Sequence, residues 1–257
     1  MDVPELFSLK GKVGLVTGAS GGLGRYFAIT LAAAGAAVIV AARRHEKVLQ
    51  VVNEIEKLGG KALAVKLDVT SKKSIKQAFE ESERHFSTVN ILVNNAGISG
   101  REETLDISSE GWDAVMNTNL KGVLSVTQEA VRRMIEKQVQ GSVINISSIL
   151  GLRVMNGILP YSVSKAGVAH MTKALALEWA RHGIRINAIA PGYFETDLNR
   201  DMLRSPLGEK IIKRIPQRRT GDIEELGGIL LLLASNCSSY ITGQVIGVDG
   251  GHLINSL

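Results

Sequence analysis

Thr17-Gly-Ala-Ser-Gly-Gly-Leu-Gly24 follows directly on the apolar run Val13-Gly-Leu-Val16 and opens into Phe27 to Ala34, an apolar segment read as a helix. This order puts the glycines at a strand-to-helix turn, where the missing Cβ atoms let backbone approach a pyrophosphate and the free N–H groups of the helix favour its charge. A tight turn alone would account for a glycine cluster, but its position directly after the first strand points to a dinucleotide site. Gly18, Gly22 and Gly24 are spaced as T-G-x-x-x-G-x-G rather than G-x-G-x-x-G, and Ser20 and Leu23 complete the candidate contact set of the loop.

Outward from this turn, short β-rich apolar runs alternate with longer segments of helical period, the pattern of a parallel sheet covered on both faces. Strands are expected at Val13 to Val16, Ala37 to Ala41, Ala62 to Lys66, Ile91 to Val93, Ser142 to Ile146, Arg185 to Ile189 and Gln244 to Val248. Helical stretches are expected at Glu46 to Leu58, Lys72 to Phe86, Trp112 to Glu136 and Ser162 to Ala180. Seven strands and about six helices make one doubly wound α/β domain of Rossmann type over residues 1–257. Residues 191–220 break the rhythm with prolines, charges and short apolar pieces, and are read as a lid or substrate loop within that domain.

The 257 residues are 45% hydrophobic, enough for one sizeable core. A net charge of +5 suits an anionic ligand, yet the basic residues are mixed with acidic ones and no run reaches five like charges, so nucleic acid is not an expected partner. A single cysteine, Cys237, excludes an internal disulfide and suits a reducing compartment. The acidic N-terminus has no signal-peptide pattern, and no stretch of eighteen apolar residues would span a bilayer. A soluble, cytoplasmic protein without membrane attachment is expected. The five histidines are scattered, without H-x-x-x-H or a Cys/His cluster, so no metal site is expected.

Chemistry enters with Tyr161-Ser-Val-Ser-Lys165, which places a phenol and an ammonium on one helix face. A neighbouring cation favours the phenolate and would lower the tyrosine pKa toward a useful range. Thirteen positions before Tyr161, Ser148 ends the run Asn145-Ile-Ser-Ser148 after a buried strand and would set a hydroxyl beside the phenol.

The T-G-x-x-x-G-x-G loop, Asn94-Asn-Ala-Gly97 after the fourth strand, the Ser148/Tyr161/Lys165 set and Pro191-Gly192 after the sixth strand, in this order and spacing, resemble the short-chain dehydrogenase/reductase family over nearly the whole chain. The resemblance implies that Asn95, Ala96 and Gly97 flank a nicotinamide cofactor and that Asp68, followed by Val69, contacts its adenine. It implies that Tyr161 exchanges the proton at the substrate oxygen, that Lys165 lowers its pKa and bonds the nicotinamide ribose, and that Ser148 polarises the carbonyl. Asn119, in Met116-Asn-Thr-Asn-Leu-Lys-Gly122, matches the family's fourth active-site residue, a water-holding asparagine, with Asn117 as its rival. Pro191, Gly192 and Thr196, in Pro191-Gly-Tyr-Phe-Glu-Thr196, match the segment that binds the nicotinamide carboxamide.

The end of the second strand decides the cofactor, because an acidic side chain there holds the ribose hydroxyls of NAD while arginine suits the phosphate of NADP. Here Ala42 stands at the acidic position and Arg43 follows it, so NADP(H) is expected. The resemblance further implies a homotetramer or homodimer, built on the helix of Tyr161, the helix of Asn119, and the last strand with Gly250 to Leu257. The substrate read from the same likeness is a small-molecule or acyl-thioester carbonyl. A 3-oxoacyl thioester on an acyl carrier comes first, with Arg132 and Arg133 facing the acidic carrier and Leu177 standing where a second docking arginine is usual. Sugar, polyol, gluconate and small-ketone reductases share the same catalytic set, and the apolar Phe194, Leu198, Met202, Leu203 and Leu207 lean toward an acyl group. A non-catalytic NADP(H)-binding regulator would usually lose the tyrosine or lysine, and both are kept.

Overall fold

The computed structural model describes residues 3–100, 102–196 and 199–254. The short helix α1 (Val3–Leu6) leads into β1 (Val13–Thr17), α2 (Gly22–Ala33), β2 (Ala37–Ala42), α3 (His45–Lys57), β3 (Lys61–Lys66), α4 (Lys72–His85) and β4 (Ile91–Asn94). The second half comprises α5 (Ser109–Met116), α6 (Gly122–Glu136), β5 (Gly141–Ile146), α7 (Leu159–Trp179), β6 (Ile184–Pro191), α8 (Arg200–Leu203), α9 (Pro206–Ile212), α10 (Gly227–Ala234) and β7 (Val245–Val248). All seven strands are parallel, in the order β3-β2-β1-β4-β5-β6-β7. Strand order reverses between β1 and β4, and the crevice at their carboxyl ends is where a doubly wound sheet takes its ligand.

Strand residues alternate between two cores. Val16, Val38 and Val40 face one side and pack with Phe27 and Leu31 of α2, Val48 and Ile55 of α3 and Leu230 of α10. Leu15, Ile39 and Ala41 face the other, with Phe79 of α4, Met134 of α6 and Leu175 of α7. Burial on both faces is why the strands read as continuous apolar runs rather than alternating ones. Serine side chains start several helices: Ser71 accepts from the Ser74 amide at 3.3 Å and Ser108 from the Gly111 amide at 3.0 Å. Pro160 lies in the first turn of α7, where its missing N–H costs nothing.

Three expectations change. The helix expected from Trp112 to Glu136 is α5 and α6 joined through a π-helical turn, Asn117–Lys121. The helix after the glycine loop begins at Gly22 rather than Phe27, because the glycines form its first turn. The described residues of 191–220 contain α8 and α9; Phe194, buried rather than presented to a ligand, pairs with Gly221 in an isolated bridge. Leu198, Met1, Asp2 and residues 255–257 of the expected interface segment lie outside the described residues. No helix among the described residues is long and apolar enough to cross a membrane.

Beneath the crevice a buried polar stitch ties four elements. Asn94 and Asn145 stand opposite each other on β4 and β5. The Asn94 amide nitrogen donates to Thr127 Oγ1 on α6 at 2.8 Å and to Asn145 Oδ1 at 2.9 Å, and the Asn145 amide nitrogen donates to Thr172 Oγ1 on α7 at 2.9 Å. Asn145→Ala removes the acceptor for one buried amide and opens a small cavity, a loss of about 2–3 kcal/mol. Urea unfolding of the variant measures it; an unchanged midpoint would show the stitch to be energetically idle.

Candidate active site

The glycine loop is held by close approach. Gly18 has φ +66°, and a Cβ on it would lie 2.8 Å from Ala96 Cα. A Cβ on Gly24 would lie 2.5 Å from Asn95 Nδ2 and from the Gly18 carbonyl oxygen. Asn95 Nδ2 donates to the Thr17 and Gly18 carbonyls at 3.1 and 3.2 Å, while Thr17 Oγ1 accepts from the Asn95 and Ala96 amides, each at 3.0 Å. These bonds join the loops after β1 and β4 across the switch point. Gly22, at φ +51°, begins α2, whose N-cap Gly21 offers no side-chain cap bond, a helix start whose amides suit an anion. This cradle, which Cβ atoms would obstruct at Gly18 and Gly24, fits a dinucleotide pyrophosphate.

The crevice walls come from three more segments. Arg44 Nη2 donates to Ser20 Oγ at 3.1 Å, which brings a guanidinium from the end of β2 onto the glycine loop beside exposed Arg43. After β3, Asp68 accepts from the Thr70 amide and hydroxyl at 2.9 and 2.7 Å; these bonds hold its carboxyl below the usual carboxylate range, and Arg43 adds to the effect. Val69 packs on the π turn, 2.9 Å from a Cβ placed on Gly122. From β6, the Gly192 amide donates to the Val248 carbonyl at 2.8 Å, and a Cβ there would meet Asp249 Cα at 2.7 Å. Thr196 then arrives 3.8 Å from the Cβ position of Gly22, its amide and hydroxyl donating to Asn199 Oδ1 at 2.8 and 3.2 Å.

Ser148, Tyr161 and Lys165 converge at the end of β5. Ser148 Oγ accepts from the Leu150 amide at 3.1 Å. Lys165 is buried; its Nζ donates to the Ile146 carbonyl at 2.8 Å and lies 5.6 Å from the centroid of the Tyr161 ring. Burial lowers the amine to a pKa of about 8. The phenol moves opposite to expectation: burial pushes it above its ordinary value, against the lowering pull of Ser148. The reason is geometric, since the ammonium stands over the ring while its hydrogen bond goes to backbone.

Asn119 sits buried in the π turn and Asn117 is exposed, so Asn119 is the one that joins the site. Its side chain is already engaged: Oδ1 accepts from the Ile98 amide at 2.8 Å, and Nδ2 donates to the Ile98 carbonyl at 2.8 Å and to Ser164 Oγ at 3.1 Å. A Cβ on Gly97 would lie 3.3 Å from Asn119 Oδ1 and 3.7 Å from Lys165 Nζ, so Gly97 is what lets the two approach.

A family model described as "Enoyl-(Acyl carrier protein) reductase" matches residues 18–252, the span that holds all of these groups but Thr17. The chain belongs to the short-chain dehydrogenase/reductase family. It is 44% identical over 246 residues to the 3-oxoacyl-(acyl-carrier-protein) reductase FabG of Thermotoga maritima, covering 96% of this chain and 99% of that one. It is 38% identical over 252 residues to gluconate 5-dehydrogenase of Gluconobacter oxydans, covering 98% of each chain. The crystal structure of a gluconate 5-dehydrogenase from Burkholderia cenocepacia J2315, in complex with NADP and tartrate, superposes with a TM-score of 0.94 at 36% identity over 98% of this chain and 99% of that one.

Within this short-chain dehydrogenase/reductase, the structure brings the motif residues named from sequence to one crevice. Sequence reasoning missed Thr17 and Asn199, whose side chains shape the loops, and Arg44, since it assigned the phosphate to Arg43 alone. Position offered one signal for Thr17, the last residue of an otherwise apolar strand.

Lys165 carries a pH signature. The folded chain holds its amine near 8 while the ordinary value is 10.5, so the unfolded chain binds more protons between these values and stability rises with pH across that window. Lys165→Met, with no charge to desolvate, is therefore more stable than wild type at pH 7, and its advantage shrinks by pH 10. Urea midpoints of both proteins at the two pH values check this; a constant gap contradicts burial as the cause.

Proposed function

We propose that this chain is an NADP(H)-dependent oxidoreductase that interconverts a carbonyl and a secondary alcohol. The observation that carries the reading is buried Lys165, whose Nζ lies 5.6 Å from the centroid of the Tyr161 ring and bonds the Ile146 carbonyl at the strand end that carries Ser148, near the glycine cradle. When bound, NADP(H) supplies or accepts the hydride. Gly18, Ser20, Gly22, Leu23 and Gly24 form the pyrophosphate side of its site, with Arg43 and Arg44 for the ribose phosphate and Asp68 and Val69 toward the adenine. Asn95, Ala96 and Gly97, with Pro191, Gly192 and Thr196, bound the nicotinamide side. The NADP in the Burkholderia relative supports this choice.

Ser148 donates to the substrate oxygen where negative charge grows, and Tyr161 gives or takes the proton there. The raised phenol pKa keeps Tyr161 protonated at neutral pH, so reduction proceeds at neutrality, whereas alcohol oxidation needs the phenolate and gains as pH rises. Lys165 holds the ribose and favours the phenolate once a proton has left. Asn119 fixes the loop at Ile98 and the helix at Ser164, and the π turn it occupies is where a relay water to Lys165 is held.

Residues 191–220 act as the substrate lid. The assembly is a homotetramer or homodimer in the cytoplasm, where Cys237 stays reduced.

For the substrate, the FabG relative supports a 3-oxoacyl thioester. A specific observation favours the second reading, a gluconate-like sugar acid, polyol or small ketone. Arg133 is tied to Glu83 at 2.6 Å and to Glu129 at 2.8 Å, and Arg132 to Glu129 at 2.6 Å, so both arginines put forward for carrier docking are already paired. Leu177, at the second docking position, is 84% exposed and uncharged. Phe194 and Leu203 are spent on packing rather than offered to an acyl group.

Tyr161→Phe is expected to abolish turnover and leave NADPH binding within about twofold, since it removes the exchangeable proton and little contact area; substantial residual activity would overturn the assignment. Arg43→Ala and Arg44→Ala should each weaken NADPH binding about 10–100-fold and barely touch NADH, the scale of one charged hydrogen bond. Equal loss for both cofactors contradicts the phosphate site. NADPH consumption with acetoacetyl-CoA against 5-oxogluconate separates the substrates: turnover of the thioester supports the first reading, and turnover of the oxo acid alone supports the second.

A further inference from the structure

The end of β5 meets α7 through three consecutive residues, and one of them has had no part in the chemistry so far. The Ile146 carbonyl accepts from Lys165 Nζ at 2.8 Å. Ser147 Oγ donates to the Lys165 backbone carbonyl at 2.9 Å. Ser148, next in the chain, is the residue whose hydroxyl pulls the Tyr161 phenol pKa down. Lys165 is thus held at both ends, amine and carbonyl, by adjacent residues of one strand end.

Ser147 is itself anchored. It is buried, and its amide donates to the Ile189 carbonyl at 2.8 Å, which ties it to β6. The chain beyond it lies flush on the same peptide: a Cβ on Gly151 would stand 2.7 Å from both the carbonyl carbon and oxygen of Lys165. A hydroxyl sent to a helix carbonyl in mid-helix adds nothing that the helix needs for its own hydrogen bonding. What it does add is a fixed height and rotation of α7 against the sheet.

We propose that Ser147 is a positioning residue of the reaction, whose hydroxyl sets the register of the Tyr161/Lys165 helix against the Ser148 hydroxyl. Ser164 plays the matching part inside the helix, donating to the Tyr161 carbonyl at 2.7 Å, whereas Ser147 reaches across from the strand end. The inference rests on the reading of Tyr161 as the proton donor. Small displacements at such a site are costly in rate, because proton and hydride must move in a fixed geometry.

Ser147→Ala tests it in the full-length protein with NADPH and whichever carbonyl compound the wild type reduces. The expected result is a fall of about tenfold in kcat with the Kd for NADPH unchanged. The pH profile moves too. The Ser148 hydroxyl pulls the phenol pKa down, so drawing the two apart lets that pKa rise, and the alkaline loss of reductase activity shifts to higher pH. Ser147→Thr, which keeps the hydroxyl, restores kcat to within about threefold. Where the alanine variant does not fold, Ser147→Cys fills the same space with a weak donor and shows the same split. Wild-type kcat and pH profile in a folded Ala or Cys variant overturn the proposal, as does a uniform loss that follows NADPH binding. Activity retained in Tyr161→Phe would instead remove the reading beneath it, so the two failures are told apart.

Discussion

The contact between Gly18 and the loop after β4 is the constraint on which the rest of the site depends. Ala96 lies where a side chain on Gly18 would be, and Asn95 reaches into the space beside Gly24 to hold two carbonyls of the glycine loop. Thr17 returns two acceptor bonds from the other side. With these bonds made, the loops after β1 and β4 are one rigid unit that carries the start of α2. An anion site made of backbone needs this rigidity, since nothing else fixes the direction of the N–H groups. The cradle and the Ser148 and Tyr161 hydroxyls then belong to neighbouring parts of the sheet, β1 and β4 on one side and β5 on the other, and the sheet fixes their separation.

Much of this was legible in the sequence for a physical reason. Strands buried on both faces are mostly apolar, so β1, β2, β4 and β5 stand out from amphipathic helices such as α3 and α4. Glycines that admit backbone have no substitute, so their spacing marks the cradle directly. Side chains that act through hydrogen bonds are harder to see. Thr17, Ser147, Asn199 and Thr172 are ordinary residue types in their local settings, and only the partner across the fold gives each a role. The π turn at Asn117–Lys121 was invisible for another reason: one extra residue shifts the helical face by a fraction of a turn, and the apolar pattern runs on through it without a proline. Arg43 and Arg44 are adjacent and chemically alike, so only geometry shows that Arg44 reaches Ser20.

Burial sets the electrostatic character of Tyr161 and Lys165 more than their mutual attraction does. The amine and the phenol are both driven toward their neutral forms by the same apolar surroundings, in opposite directions on the pH scale. A neutral phenol suits proton donation to a reduced carbonyl. A readily deprotonated amine, bonded to the Ile146 carbonyl, can pass a proton onward instead of trapping it as a permanent ion pair. No carboxylate is among the causes of either shift, which leaves the balance to hydrogen bonds and to whatever occupies the crevice.

The π turn completes this logic. A regular helix from Trp112 to Glu136 would carry Asn119 past the end of β4 on a different face. The wider turn lets the Asn119 amide meet Ile98 on the loop after β4 and Ser164 on α7 together. Both partners are needed: Ile98 follows Gly97, whose bare Cα admits Lys165, and Ser164 holds the Tyr161 carbonyl. A helical irregularity costs some backbone hydrogen bonding, and here the return is a side chain that locks the cofactor-side loop to the catalytic helix. The loop after β4 and the helix of Tyr161 and Lys165 are thereby joined through a single buried amide.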